Sequence, residues 1–130
     1  MLENLPGDFN TAAQLGELLD PLPELGLHLD VGHANLMVGH STVEELLAAY
    51  GRRLRHVHLH DNKGGAADLH LPLGTGSVDV RGAVRLLQRQ GYDGTITLEV
   101  FTPDPHHLTY SRDMLQKLWT EERSVAPLPD

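Results

Sequence analysis

With 130 residues the chain is long enough for one globular domain with a sizeable core but not for two. Its hydrophobic content of 40% is ordinary for such a domain. Its 10 Lys and Arg against 18 Asp and Glu give a formal net charge of −8, and this disfavours nucleic-acid binding because clustered cations hold phosphate backbones. The chain has no cysteine for a disulfide or thiolate zinc site, and no apolar stretch reaches the roughly 20 residues that span a bilayer. We therefore predict a cytoplasmic protein without membrane association.

Helices and strands alternate along the chain, because apolar residues recur at helical spacing in some segments and at every second position in others. Pro21 ends the first helix, and the Ser-Thr-Val-Glu order of residues 41–44 has the form of a capping box that begins the second. We assign residues 1–123 to one domain and predict a flexible tail over 124–130. The predicted elements are a strand stub at 1–4, a helix from 10 or 11 to 20, a strand at 25–31, a helix at 43–50, a strand at 54–60, a loop at 61–77, a helix at 79–90, a strand at 95–101 and a helix at 111–122.

Each predicted strand has one apolar and one polar face. In the first strand Leu27 and Leu29 alternate with His28 and Asp30, and the other two strands repeat this pattern. Strands separated by helices pair in parallel, but a sheet covered on both faces would have continuously apolar strands. The alternation instead favours a barrel with helices outside and a polar interior. Since a complete (β/α)₈ barrel takes about 250 residues, we predict an α/β fold that is half of a TIM barrel, with about four parallel strands.

Residues that commonly ligate metals lie at the C-terminal ends of the predicted strands. Asp30, His58 and Glu99 occupy these ends, and Glu3 lies in the stub. Barrels of this kind carry their reactive groups at this edge. Three carboxylates and one imidazole suit Mn²⁺, Mg²⁺, Co²⁺ or Zn²⁺, so the sequence predicts a divalent-metal site formed by these four residues.

A second group of potential ligands consists of His33, Asp68 and His70. Two imidazoles and a carboxylate favour Zn²⁺. A single Asp or His in such a position is more commonly a turn or hydrogen-bonding residue, so the prediction depends on these residues occurring together.

Four ordered motifs carry a family resemblance: Leu-Asp-Val-Gly-His-Ala-Asn at 29–35, His-Val-His-Leu-His-Asp-Asn at 56–62, Asp-Leu-His-Leu-Pro-Leu-Gly-Thr-Gly at 68–76, and Gly-Tyr-Asp-Gly at 91–94 before Leu98 and Glu99. With these motifs the chain resembles the C-terminal half of the xylose isomerase-like barrel superfamily. That superfamily contains sugar-phosphate isomerases and epimerases and the endonuclease IV family.

In the epimerase branch, the resemblance implies one divalent metal held by the four strand-end residues. Glu3 and Glu99 are then the catalytic residues that exchange protons with a sugar or sugar phosphate through an enediolate. His33 is expected to orient a substrate oxygen. Lys63 is expected to contact a distal hydroxyl or phosphate, although a solvated loop cation is an equally good interpretation.

Two alternatives remain open. In the endonuclease IV branch, the strand-end residues would hold one zinc and the second group another, and the protein would be a phosphodiesterase acting on abasic DNA. Alternatively, the chain is an inactive half-barrel fragment that binds metal or a partner chain. A half-barrel exposes two strand edges, so we expect either a homo-oligomer or a complementing N-terminal half-barrel to cover them.

Overall fold

Four parallel strands form one sheet in the order β1-β2-β3-β4 in the computed structural model, which describes residues 1–125. Consecutive strands are neighbours, so the sheet winds in one direction, as an arc of a barrel does, and the predicted partial TIM barrel is confirmed. The elements are β1 (Leu2–Glu3), α1 (Ala12–Leu19), β2 (Leu27–Asp30), α2 (Val43–Tyr50), β3 (Leu54–Leu59), α3 (Val80–Arg89), β4 (Ile96–Leu98) and α4 (Pro105–Val125), with 3₁₀ turns at His33–Asn35 and Gly51–Arg53.

The apolar face of the sheet packs against the helices. Leu27, Leu29 and Val57 are fully buried in one hydrophobic cluster that includes residues of all four α-helices. The opposite face carries the polar residues of the strands. The sheet therefore has a helix-facing side and an interior-facing side, as predicted, and the ionisable groups lie on the interior-facing side.

Several predicted boundaries were wrong. The capping box predicted at residues 41–44 does not form. Thr42 is the N-cap residue of α2, and its side chain makes no capping hydrogen bond. A capping box is found instead at α1, where Thr11 and Gln14 bond reciprocally to each other's backbone N–H. Helix α4 begins at Pro105 rather than at residue 111, since proline is well tolerated in the first turn of a helix.

The predicted tail over 124–130 overlaps this last helix, which continues to Val125. Residues 126–130 lie outside the described residues. Helix α4 is tied to α3 by two arginines: Arg81 Nη1 donates to Glu122 Oε1 at 2.7 Å and Arg85 Nε donates to Glu122 Oε2 at 2.8 Å. None of the helices within residues 1–125 has the length and apolar character required to cross a membrane.

Candidate metal centre and active site

The register of the parallel strands gathers the ionisable residues at one edge of the sheet. Glu3 is paired with His28, and Asp30 is paired with His58. Just beyond β4, the backbone N–H of Glu99 donates to the carbonyl of Leu59. Because the strands are parallel, their carboxyl ends meet at the same edge, as the sequence predicted for this set of residues.

Glu3, Asp30, His58 and Glu99 form what we call the strand-end cluster. The Nδ1 atom of His58 lies 3.2 Å from Glu3 Oε1, 3.8 Å from Asp30 Oδ2 and 3.3 Å from Glu99 Oε2. Among residues 1–125, the buried atoms His58 Nδ1 and Asp30 Oδ2 have no hydrogen-bonding partner. Buried polar atoms are ordinarily paired, so this convergence of three carboxylates and an imidazole fits a divalent cation.

His33, His60, Asp68 and His70 form a second group, the loop cluster. Asp68 Oδ2 lies 3.2 Å from His33 Nε2 and 3.1 Å from His70 Nε2, and Asp68 Oδ1 lies 3.8 Å from His60 Nδ1. Each of the four residues offers one ligand atom, and these atoms lie within 4.8 Å of one another. The arrangement therefore has the donor set of a metal site rich in imidazole.

The two clusters adjoin through Asp30, whose side chain is fully buried. Its Oδ1 atom lies 2.9 Å from His60 Nε2, and its Oδ2 atom lies 3.4 Å from His33 Nδ1. Since each histidine also belongs to the loop cluster, a charge placed in one cluster acts directly on the other.

The electrostatic environment differs among these acids and bases. Burial, and then the charge of Asp30, raises the pKa of Glu3. For Asp30, burial has the largest effect and raises its pKa, but the hydrogen bonds and charges of His60 and His33 outweigh it and leave that pKa below its usual value. Burial, then His58 and His56, lowers the pKa of His28 to about 4.

Asn4 anchors Asp30 through its backbone. The side chain of Asn4 donates to the carbonyl of Asp30 at 3.0 Å and accepts from its N–H at 2.8 Å. Asn4 is completely buried and also donates to Asn10 Oδ1 at 3.1 Å. Sequence reasoning missed this role, although a polar residue directly after Glu3 in the predicted stub was a signal for it.

Asp61 organises the loop that was predicted over residues 61–77. Its buried carboxylate accepts four backbone N–H bonds, from Asn62, Gly74, Gly76 and Val78, at 2.8 to 3.0 Å. A side chain at Gly76 would overlap the carbonyl of Asn62, so only glycine fits there. This loop also carries Asp68 and His70, so Asp61 indirectly supports the loop cluster.

The structure brings together most of the residues predicted for the site. Of the four predicted metal ligands, Asp30, His58 and Glu99 offer ligand atoms within 4.8 Å of one another, and Glu3 adjoins them with Oε1 3.2 Å from His58 Nδ1. His33, Asp68 and His70 form the loop cluster with His60, whose participation was not predicted. Lys63 is exposed, and its side chain makes no hydrogen bond or ion pair with any other residue of 1–125. Nothing in these contacts joins Lys63 to either cluster.

A sheet of four parallel strands with helices on one face and ligand-type side chains at its carboxyl ends defines part of an α/β barrel with its functional edge. A family model described as "Xylose isomerase-like TIM barrel" matches residues 1–121 of this chain. The chain belongs to this family, and the resemblance read from its motifs is confirmed.

Three relatives illustrate the similarity. A ketose 3-epimerase of Arthrobacter globiformis is 36% identical over 120 residues, which cover 89% of this chain and 39% of the relative. The solved structure of a D-tagatose 3-epimerase-like protein has 29% identity and a TM-score of 0.79, over 96% of this chain and 48% of that one. A Thermus thermophilus protein soaked with ZnCl2 has 29% identity and a TM-score of 0.67, over 92% of this chain and 44% of that one. The chain thus spans half or less of the length of these relatives.

Proposed function

We propose that this chain supplies the metal-binding wall of the active site of a sugar or sugar-phosphate isomerase or epimerase. The observation that carries the proposal is the convergence of Glu3 and Glu99 on His58 Nδ1, at 3.2 and 3.3 Å. These glutamates belong to the two outermost strands of the sheet: Glu3 lies in β1, and Glu99 directly follows β4. Similarity to sugar 3-epimerases supports the same reaction class.

Glu3 and Glu99 would act as the proton-transferring pair. One carboxylate removes a proton from the carbon next to a carbonyl, which yields an enediolate, and the other returns a proton to the opposite face of the same carbon. The configuration at that carbon is thereby inverted with no net change in atoms. Burial and the charge of Asp30 raise the pKa of Glu3, which favours the protonated form that one member of such a pair must adopt.

The strand-end cluster would hold one divalent cation, Mn²⁺, Mg²⁺, Co²⁺ or Zn²⁺, through Glu3, Asp30, His58 and Glu99. The cation would supply positive charge against the negative charge that develops on the substrate oxygens. Asn4 keeps the backbone of Asp30 in place, and the ring of His58 lies between three carboxylates.

The loop cluster would serve either substrate binding or a second metal. His33 borders the proposed reaction site, with Nδ1 3.9 Å from Glu3 Oε1 and hydrogen-bonded to the carbonyl of Asn4 at 2.9 Å. Its other nitrogen, Nε2, which lies 3.2 Å from Asp68 Oδ2, would orient a substrate oxygen. Lys63 is exposed in the loop that follows β3 and would contact a distal hydroxyl or phosphate.

The sheet would be completed by another half-barrel, either a second copy of this chain or an N-terminal half. Within residues 1–125, β1 and β4 each have a paired strand on one side only. Strand edges of this kind readily pair with another chain, and the relatives are about twice as long or longer.

Solvent exchange at the substrate tests the proposed reaction. The chain, loaded with Mn²⁺ or Co²⁺, is incubated with ketohexoses and ketose phosphates in D₂O, and deuterium incorporation next to the carbonyl is followed by NMR. We expect incorporation with the parent chain and with the exposed control Glu24→Gln, and at least about a hundredfold less with Glu99→Gln. Equal incorporation by Glu99→Gln and the parent would overturn the proposal, whereas no incorporation by the parent would overturn activity of this chain without an N-terminal half.

A zinc phosphodiesterase of the endonuclease IV type is the second candidate, and the loop cluster is the observation that favours it. His33, His60, Asp68 and His70 supply three imidazoles and a carboxylate directly beside the strand-end cluster. Two tightly bound zinc ions per chain and cleavage of an abasic-site duplex would support this function. An inactive half-barrel, the third candidate, predicts neither activity.

A further inference from the structure

Three histidines meet on the interior face of β2 and β3, toward the N-terminal side of the strand-end cluster. His28 and His56 are paired directly across the two strands, and His58 lies two residues farther along the same face of β3. The ring centroids are 5.0 Å apart for His28 and His56, 4.1 Å for His28 and His58, and 5.2 Å for His56 and His58. We call this group the three-histidine cluster.

The three rings each bring one nitrogen close to the others. Their planes are inclined by 67°, 87° and 85° to one another, so the rings do not stack but meet edge to face. Each ring offers a nitrogen, and the three nitrogens lie within 4.8 Å of one another. With bonds of about 2.0–2.1 Å, a tetrahedral zinc ion would hold its ligand nitrogens about 3.4 Å apart. Small ring rotations would close the remaining gap.

Hydrogen bonding leaves a nitrogen of His28 unpaired but engages both ring nitrogens of His56. The buried Nε2 atom of His28 has no hydrogen-bonding partner within residues 1–125. His56 Nδ1 lies 2.9 Å from Thr95 Oγ1, and His56 Nε2 lies 2.9 Å from Thr97 Oγ1. An ion bound by His56 would therefore replace one of these two threonine contacts, and the other would remain to orient the ring, as such a bond commonly does for a metal-ligating histidine.

We propose that the three-histidine cluster binds an imidazole-preferring transition-metal ion, Zn²⁺, Ni²⁺ or Cu²⁺, and discriminates against Mg²⁺ and Mn²⁺. The three residues of the cluster are all imidazoles, although Glu3 Oε1 lies 3.9 Å from His28 Nε2. Imidazole suits the first set of ions, whereas oxygen ligands suit the second. This site is separate from the proposed catalytic centre except for His58, which belongs to both clusters. An ion in the three-histidine cluster therefore competes for a ligand with any ion in the strand-end cluster.

Copper binding to the untagged chain tests the proposal. One equivalent of Cu²⁺ is added in excess Mg²⁺, the nitrogen hyperfine pattern is recorded by electron paramagnetic resonance, and Cu²⁺ affinity is measured by competition with a chelator. We expect a centre with three nitrogen ligands, and at least about a hundredfold weaker binding by His28→Gln and by His56→Gln. Circular dichroism establishes that each variant is folded, and the two variants provide independent tests.

Two control variants locate the ion. His40→Gln removes an exposed histidine outside every cluster, and Asp68→Asn weakens the loop cluster, so both should keep the parent's copper centre. Parent-like binding by His28→Gln and His56→Gln, or loss of the centre in Asp68→Asn, would overturn the proposal. Neither result would affect the proposed proton transfer, which the solvent-exchange assay of Glu99→Gln tests separately.

Discussion

Gly32 lies directly against the imidazole ring of His60, and a Cβ atom at Gly32 would overlap three atoms of that ring. His60 is completely buried, with Nε2 2.9 Å from Asp30 Oδ1 and Nδ1 3.8 Å from Asp68 Oδ1. The missing side chain at Gly32 is therefore what allows His60 to lie between the strand-end cluster and the loop cluster. The ring also stacks on His70, with centroids 3.9 Å apart.

Replacing Gly32 with alanine should displace this ring. Because the ring is buried and cannot retreat into solvent, we expect Gly32→Ala to lower the free energy of unfolding by about 1–3 kcal/mol, as overpacking does. The matched control is Gly39→Ala, since an added Cβ there meets no atom within 4 Å. Urea denaturation of both variants provides the measurement. Equal stabilities would show that the backbone near Gly32 accommodates the methyl group.

Removing the side chain of Asn4 should destabilise the edge of the sheet that carries Asp30. Asn4→Ala leaves the backbone N–H and carbonyl of Asp30 without their present partners in a buried position. Since a buried unpaired group costs about 1–3 kcal/mol, we expect a loss of about 2–5 kcal/mol in the free energy of unfolding. Gln116→Ala, on the exposed side of α4, should change it by no more than about 0.5 kcal/mol. A loss for Asn4→Ala as small as this control's would contradict the anchoring role.

Neutralising one acid of the strand-end cluster should weaken metal binding. Glu99 Oε2 lies 3.3 Å from His58 Nδ1, and Glu99→Gln replaces a charged oxygen ligand with a neutral amide of nearly the same size. We expect the affinity for Mn²⁺, measured by calorimetry, to fall at least about tenfold. Glu24→Gln makes the same chemical change at an exposed position and should leave that affinity unaltered. Unchanged binding by Glu99→Gln would remove Glu99 from the ligand set.

The ion pairs between α3 and α4 should make stability depend on acid pH. Hydrogen bonds from Arg85 and then Arg81 hold the pKa of Glu122 below its usual value of 4.5. A carboxylate with a lowered folded-state pKa contributes stability above its unfolded-state pKa, and this contribution is lost as pH falls through the folded-state pKa. Glu122→Gln should therefore be less stable than the parent at neutral pH.

The difference between these two chains should shrink below about pH 4.5, where the parent loses its contribution. Urea denaturation at a series of pH values measures both curves. Glu17→Gln, an exposed residue on α1, is the control and should run parallel to the parent. A difference between Glu122→Gln and the parent that stays constant down to about pH 3 would contradict this assignment.

Much of the strand-end cluster could be predicted because two general rules suffice for it. The alternation along each strand decides the face on which Asp30 and His58 lie, and parallel pairing decides the edge at which they meet. The loop cluster was predicted less completely. His60 lies on the same polar face as His58, but its contact with Asp68 requires the particular course of the loop that follows.

The boundaries were harder to predict because competing local signals look alike. The Ser-Thr-Val-Glu order at 41–44 has the form of a capping box, yet the box is found at Thr11 and Gln14, where glutamine takes the place of glutamate. Pro105 indicates a turn in isolation, whereas here it begins the long helix α4. In both cases the local motif alone does not decide where the helix begins.

The sequence by itself determined the parallel α/β half-barrel, its polar interior and the edge at which the acids and histidines gather, because these follow from periodicities of two and 3.6 residues. Only the tertiary structure decided which of these groups touch. Asp61 takes three of its four N–H bonds from residues 13 to 17 positions away, and Gly32 makes room for a ring 28 residues farther along the chain. Such contacts depend on how loops close around the sheet, and no local pattern encodes that closure.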